Sequence, residues 1–325
     1  MNAPQEKHKK TAVQENRTSL PSPLFFVGLL AFLLLLSCQS MPTFMPERDG
    51  ASFIPIEAGA MAYIFVDVKE ARPIVNSLNF RGISIGEDKQ FQQILDMTDS
   101  AIAAVYSEGA RSRFRLITHG SYPSGLASIG LGASSDWISQ RSRYSRRDKF
   151  WHSPVAMMSV AVSPNQAIIA TTLQQDIPAD PFFVEYGTRV PEGFEDFRAK
   201  GVISCWLENP REFINQKLRE MNVRVEIPAE QFFINIVPAA DSGGEKSYTA
   251  NIQLRVANPL LARNLSIALF VARSMISPAA GNNAAAMVAS AMLANPVTAT
   301  GNYLNIKTNP MSIGEITQLL SGFSM

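Results

Sequence analysis

Residues 24–36 form an unbroken apolar run, Leu-Phe-Phe-Val-Gly-Leu-Leu-Ala-Phe-Leu-Leu-Leu-Leu, that stops two positions before Cys38. The run is 13 residues long. A helix that crosses a bilayer needs about 20 residues, whereas the apolar core of a secretory signal takes roughly 7–15. Lys7, Lys9, Lys10 and Arg17 precede the run, and polar Gln39 and Ser40 follow it with no stop-transfer pattern. Positive charge ahead of a short apolar core holds the start of the chain on the cytoplasmic side while the rest is exported. The first 37 residues therefore supply an address and no part of a folded core.

The end of the run, Leu35-Leu36-Ser37-Cys38, resembles the lipobox of bacterial lipoproteins in the relaxed form found in spirochaetes, with Leu36 where a smaller residue is usual. The resemblance implies cleavage before Cys38, a diacylglycerol on its thiol and an acyl group on its amine. One acyl chain holds a protein only marginally and two or more hold it firmly. The mature chain is then expected as a membrane-anchored, extracytoplasmic domain. The periplasmic face of the outer membrane is its first assignment, with the inner membrane and the cell surface left open.

The full chain has 325 residues and a formal net charge of +1. Residues 1–37 carry four positive and two negative side chains, so the mature chain carries −1. No global field attracts nucleic acid. Hydrophobic residues at 46% and aromatics at 9% fit a packed domain rather than a disordered one. With Cys38 acylated, Cys205 has no intrachain partner. It lies in the apolar strand-like run Val202–Leu207 and reads as a small buried thiol.

Residues 38–60, with Pro42, Pro46, Pro55, Gly50 and Gly59, read as a lipidated tether. The fold is expected to begin near Met61. A buried-type strand, residues 61–68, leads into a helix opened by Pro73, and a second helical piece spans 89–97. Strands at 101–106 and 113–119 form a hairpin around Gly109, and Pro123 opens a helix. A polar segment, 137–153, and a hairpin over 155–172 close the first half, 61–173. Residues 174–200, broken by Pro178, Pro181, Pro191 and Gly193, read as a connection.

From Gly201 the plan restarts. Strand 203–208, Pro210, Phe213-Ile214 and Asn215 echo strand 61–68, Pro73, Ile74-Val75 and Asn76. The hairpin recurs at 231–237 and 247–257, and Pro259 opens a helix as Pro123 does. A strand at 302–307 and a helix at 313–320 close the second half, 201–325. A near-constant offset over several elements argues for tandem duplication. The fold class expected is α+β: two tandem β-α-β-β-α-β-like halves, mainly antiparallel sheets with helices packed on one face.

Catalytic constellations are wanting. His8, His119 and His152 have no metal-ligand spacing, and His119-Gly120-Ser121 lacks the frame of a nucleophile elbow. Gly130-Leu131-Gly132 follows no strand and is not a phosphate loop. Asp67 and Glu70 at a strand-to-helix turn read as cap and dipole partners. The chain is expected to be non-enzymatic, with no cofactor, no metal and no nucleic-acid partner.

Two stretches stand out. Residues 140–152 interleave Arg141, Arg143, Arg146, Arg147 and Lys149 with Tyr144, Phe150 and Trp151. Arginines suit lipid phosphates and aromatics suit the interface level, which makes Arg141, Arg143, Arg146, Arg147 and Trp151 candidate membrane contacts. The bland alternative is a solvated loop whose aromatics pack on the sheet. The second stretch, 259–295, is an apolar helical hairpin interrupted by Arg263 and Arg273 and turning at 277–283. Neither arm is long enough to span a membrane. Opened onto a leaflet, it would offer Phe270, Met287 and Met292 to acyl chains while Arg263 and Arg273 snorkel to phosphates; closed, it is core.

In this layout of lipobox, α/β body and apolar helices the chain resembles the treponemal outer-membrane-associated lipoproteins. The resemblance implies amphipathic helices that enter the inner leaflet, with membrane lipids as partners. A carrier holding a fatty acid or phospholipid between sheet and helices, and an unrecognised extracytoplasmic enzyme, stay open as alternatives.

Overall fold

The structure is a computed structural model. It describes residues 47–322 except 49–50, 55, 57, 81–82, 85, 88, 109–110, 142–148, 156, 164–166, 173–187, 192, 200, 221–224, 240–245 and 276–293. In chain order the elements are β1 (Glu47–Arg48), β2 (Ala51–Ile54), β3 (Ala62–Asp67), α1 (Arg72–Ser77), β4 (Asn79–Phe80), β5 (Ile83–Ser84), α2 (Lys89–Met97), β6 (Thr98–Glu108), β7 (Arg111–Gly120) and α3 (Ser124–Ala133). The edge and return strands follow as β8 (Ile138–Arg141), β9 (Lys149–Ser153), β10 (Met158–Val162), β11 (Ala167–Thr172) and β12 (Thr188–Arg189), then α4 (Phe194–Arg198). The remaining elements are β13 (Ile203–Glu208), α5 (Arg211–Glu220), β14 (Gln231–Pro238), β15 (Tyr248–Arg255), α6 (Pro259–Met275), β16 (Thr298–Thr300), β17 (Tyr303–Lys307) and α7 (Ile313–Gly322).

The expected α+β class holds, but its sheets are one sheet. Twelve strands run β16-β17-β15-β14-β13-β3-β6-β7-β11-β10-β9-β8, and every pairing is antiparallel. The join is β3 against β13, with Ile64 opposite Cys205. Outward from that seam, β3-β6-β7-β11-β10 and β13-β14-β15-β17-β16 have the same order. In each run three strands meander, a helix follows, and a hairpin returns its second strand beside the third. The asparagines that the two halves share in sequence also do similar work. Asn76 Oδ1 accepts from Gln92 Nε2 at 2.9 Å, and Asn215 Oδ1 accepts from the Ile227 N–H at 2.7 Å, so each ties its helix to the chain beyond.

Period-2 alternation gives the sheet two faces. On the first, termed face A, one row of opposed residues runs Trp151, Val160, Ala170, Leu116, Ala103, Ile64, Cys205, Ile234, Ile252 and Ile306. Helices cover this face. Ile74 of α1, Ile214 and Leu218 of α5, Ala262, Leu265 and Leu269 of α6, and Ile316 and Leu319 of α7 form the larger core with it. Leu131 of α3 packs over Trp151, Val160 and Ile168 in a second cluster. A capping box starts α7: Ser312 N–H donates to Glu315 Oε2 at 2.8 Å and Glu315 N–H to Ser312 Oγ at 3.3 Å.

Face B carries the opposite row: His152, Ser159, Thr171, Arg115, Ala104, Tyr63, Trp206, Phe233, Gln253, Asn305 and Thr298. Its middle is aromatic. Tyr63 stacks on Trp206 at 4.7 Å, and Phe194 of α4 sits 5.4–5.7 Å from Phe65, Phe233 and Trp206. Ile56 and Ala60 pack into the same cluster, and the Ala60 N–H donates to the Tyr63 hydroxyl at 3.2 Å.

Four expectations need correction. Part of the segment read as tether is folded: β1 and β2 pair with each other, β2 pairs with β12, and Ile56 is fully buried. The polar segment 137–153 supplies two strands: β9 pairs on β10, and β8 pairs on β9 as the edge of the sheet. Trp151 is not a surface residue. It is 4% exposed beneath α3, since a strand with Phe150 on one face and Trp151 on the other buries both. Finally, the short α4 lies on face B, apart from the other helices.

Candidate functional site

Of the described helices, α6 is apolar on two sides. Asn258 caps it, its Oδ1 accepting the Leu261 N–H at 2.9 Å, and Pro259 takes the first turn, where no donor is needed. Ala262, Leu265 and Leu269 face the core at 0–7% exposure. One half-turn away lie Leu260, Ile267 and Phe270, exposed at 68%, 56% and 61%. Such a stripe at i, i+7 and i+10 is one continuous ridge on a helix of period 3.6. Arg263 shares the exposed side, and its long stem can lie along the ridge while the guanidinium reaches water. Ordinary surface helices are polar opposite their buried stripe, so a ridge of this kind is a candidate interaction surface. Ile129 of α3, exposed at 66%, lies in the same helical layer over face A.

The other predicted contacts fall as follows. Arg141 is exposed at the end of edge strand β8. Phe270 is on the α6 ridge, and Arg273 is in the last turn of α6. Cys38, Arg143, Arg146, Arg147, Met287 and Met292 lie outside the described residues, as does the second arm of the 259–295 hairpin. The structure thus brings Phe270 and Arg263 together, with Leu260 and Ile267, and sets Arg141 at the far edge of the sheet. Among the described residues no helix is long and apolar enough to cross a membrane.

Face B has a groove at the β16 end. It has a volume of about 720 Å³ and is lined by Gly193, Phe194, Phe197, Phe233, Gln253, Arg255, Thr298, Thr300, Asn302, Tyr303 and Asn305. The sheet supplies its floor: Gln253 Nε2 donates to Asn305 Oδ1 at 3.0 Å across β15 and β17. The segment 193–201 supplies its wall. Asn235 Nδ2 donates to the Phe197 carbonyl, and Gly201 lies so close to Asn235 that a Cβ there would overlap the amide. Arg255 approaches Glu230 Oε2 at 3.7 Å and donates to Gln231 Oε1 at 3.3 Å. Sequence reasoning passed over this groove, although Asn251, Gln253 and Arg255 alternating with Ile252 and Leu254 already marked a polar face.

The titratable groups singled out in the sequence sit in a turn and in the buried sheet. Asp67 Oδ1 accepts the Glu70 N–H at 3.1 Å, the turn role expected of it. His119, 2% exposed on face B, has its pKa lowered to about 4 by burial, with Asp99 opposing. Burial pushes the Cys205 thiol up to about 12, leaving little thiolate at neutral pH. Arg115, four residues before His119 on the same face, is fully buried; nothing in its local sequence distinguishes it from the exposed arginines. Among the described residues no group of three or more His, Cys, Asp or Glu side chains could hold a metal ion.

A family described as "Outer membrane-associated lipoprotein TP0453" matches residues 51–277. No curated protein matches the chain. Among solved structures, crystal form III of TP0453 is similar with a TM-score of 0.52 at 15% identity, covering 82% of this chain and 96% of that one. Crystal form I of TP0453 is similar at a TM-score of 0.52 and 14% identity, covering 83% and 96%. At such identity the likeness is one of fold.

Proposed function

The chain belongs to the family of outer membrane-associated lipoproteins typified by TP0453, and on that premise we propose that it is a non-enzymatic lipoprotein whose helical layer lies on the membrane leaflet that holds its anchor. The protein is membrane-anchored and extracytoplasmic. In this reading the acyl groups on Cys38 hold the chain at the surface, and the α6 ridge sets its orientation there. The observation that carries the reading is the ridge of Leu260, Ile267 and Phe270, each more than half exposed on a helix whose other side is core. Water-exposed apolar area of that kind is stabilised by the acyl region just below the headgroups, and Arg263 is placed to meet phosphate. Membrane lipids are the partner.

A bound fatty acid or phospholipid inside the body receives less support. The groove on face B is floored by amides, and an acyl chain there would leave the Gln253 Oε1 and the Asn305 Nδ2, which their mutual bond does not use, without hydrogen-bond partners. The test is flotation of a non-acylated chain, Cys38→Ser without residues 1–37, with phosphatidylglycerol vesicles. It should float with them. Protein that stays at the bottom of the gradient would show that α6 does not engage lipid by itself.

A further inference from the structure

We propose that the groove on face B binds an uncharged oligosaccharide. The argument starts from its lining chemistry. Gln253 and Asn305 line the floor, and one hydrogen bond between them uses a Gln253 donor and the Asn305 acceptor. That leaves the Gln253 Oε1 and the Asn305 Nδ2 for a ligand, an acceptor and a donor side by side. Adjacent hydroxyls of a sugar ring, each both donor and acceptor, satisfy such a pair. Thr298 adds an exposed hydroxyl on the edge strand.

The walls suit the same ligand. Phe197 and Tyr303 are partly buried and both line the groove. Their ring faces can meet the C–H face of a pyranose, while the Tyr303 hydroxyl supplies the polar tip. The volume of about 720 Å³ is in the range of small-ligand sites. Charge argues against an anion. Arg255 is the cation of the lining; the Glu230 carboxylate 3.7 Å from its Nε offsets the charge, and its Nη1 donates to Gln231 Oε1. Polarity argues against an acyl chain, since burying the amide floor under hydrocarbon leaves the Gln253 Oε1 and the Asn305 Nδ2 unpaired. A site built to hydrogen-bond hydroxyls rejects ligands that lack them. The groove opens on the face of the sheet opposite α6, so a body resting on its helical layer would present the groove away from the membrane. The lining chemistry stands without that orientation.

The experiment uses the full chain in lipid nanodiscs and equilibrium dialysis against chitohexaose and maltohexaose. At least one should bind and should not be displaced by palmitate or by inorganic phosphate. Asn305→Ala and Tyr303→Ala should each weaken binding about tenfold or more, while Tyr303→Phe, which keeps the ring and loses only the hydroxyl, should weaken it by about two- to fivefold. Should Asn305→Ala fail to fold, Thr298→Trp fills the groove from an exposed edge position and must abolish binding. All of these variants should float with vesicles as the parent does, which keeps this test separate from that of the membrane reading. Absence of binding to both hexaoses, displacement by palmitate or phosphate, or binding indifferent to Thr298→Trp overturns the proposal.

Discussion

Phe270→Glu places a charge on the α6 ridge at a position 61% exposed. Leu260, Ile267 and Phe270 together expose about three-fifths of their surface. With roughly 2 kcal/mol for the full transfer of each such side chain, insertion of the exposed parts gains about 3–4 kcal/mol, a third of it from Phe270. Losing that third weakens vesicle binding about tenfold, and repulsion between the new carboxylate and anionic lipid takes the loss towards about thirtyfold. Folding should hardly change, because an exposed substitution away from packed contacts stays within about 0.5 kcal/mol. Leu269→Glu, one residue earlier and 2% exposed, buries an unpaired charge and should unfold the domain. The assay is co-sedimentation of the non-acylated chain with phosphatidylglycerol vesicles over a range of lipid concentrations, beside urea unfolding of the same samples. Parent-like binding by Phe270→Glu, or a collapse of its stability, would refute the reasoning, since the ridge would then be either idle or part of the core.

Cys38→Ser should abolish incorporation of labelled fatty acid and move the protein out of the membrane fraction on carbonate washing; retained label would place the acyl group elsewhere. The His119 pKa, held near 4 in the fold against 6.5 when unfolded, means that the unfolded chain binds the extra proton in that window. Stability is therefore full above about pH 7 and falls as the pH drops from about 6.5 to 4, by up to about 3 kcal/mol. Asp99 is the carboxylate that opposes the shift. His119→Gln should flatten that part of a urea-midpoint profile, and an unchanged slope would assign the loss to other groups.

Much of the order of elements was legible because it is local. The strand at 62–67, the two long hairpins and the helix opened by Pro259 are each written in period-2 or period-3.6 alternation bounded by proline, glycine or asparagine. The seam that makes one sheet of two was not. Val66 opposite Ile203 is a pairing between strands far apart in sequence, and either strand alone is equally suited to a separate sheet. Trp151 misled for a related reason. Arginines beside aromatics look interfacial when read as composition, but Phe150 and Trp151 are 0% and 4% exposed because consecutive strand residues go to opposite covered faces. The α6 ridge was legible in part. Phe270 and Arg263 were candidates from sequence; Leu260 and Ile267 could be separated from Leu265 and Leu269 only once the core had chosen one side of a helix with apolar residues on both. The groove depends on α4 crossing face B, which no local pattern announces.

The anchor constrains the membrane reading in a way that can be measured. Ile56 and Ala60 bring the chain into β3 from face B, whereas α6 lies over face A. Eight residues, 39–46, separate Cys38 from β1, and the nine fully extended steps from Cys38 to Glu47 reach at most about 30 Å. Packed layers lie about 10 Å apart, and a helix adds about 5 Å of radius beyond its axis. The leaflet touched by the α6 ridge is then about 25 Å from the face B layer, close to the limit of the tether. Deleting residues 40–43 shortens the reach by about 14 Å. The acylated protein should stay in the membrane fraction while α6 loses contact with it. An environment-sensitive thiol probe at Ile267→Cys reports that contact, because in the proposed reading the Cys38 thiol carries the acyl group and the Cys205 thiol, buried and pushed up to about 12, leaves little thiolate to label at neutral pH. The full-length tether should give a blue-shifted probe in proteoliposomes, and the shortened tether should give the emission of the protein in water. A blue shift that survives the deletion would mean that the tether meets the membrane on the same side as the ridge without crossing the body, and the path of the chain inferred from Ile56 and Ala60 would be wrong.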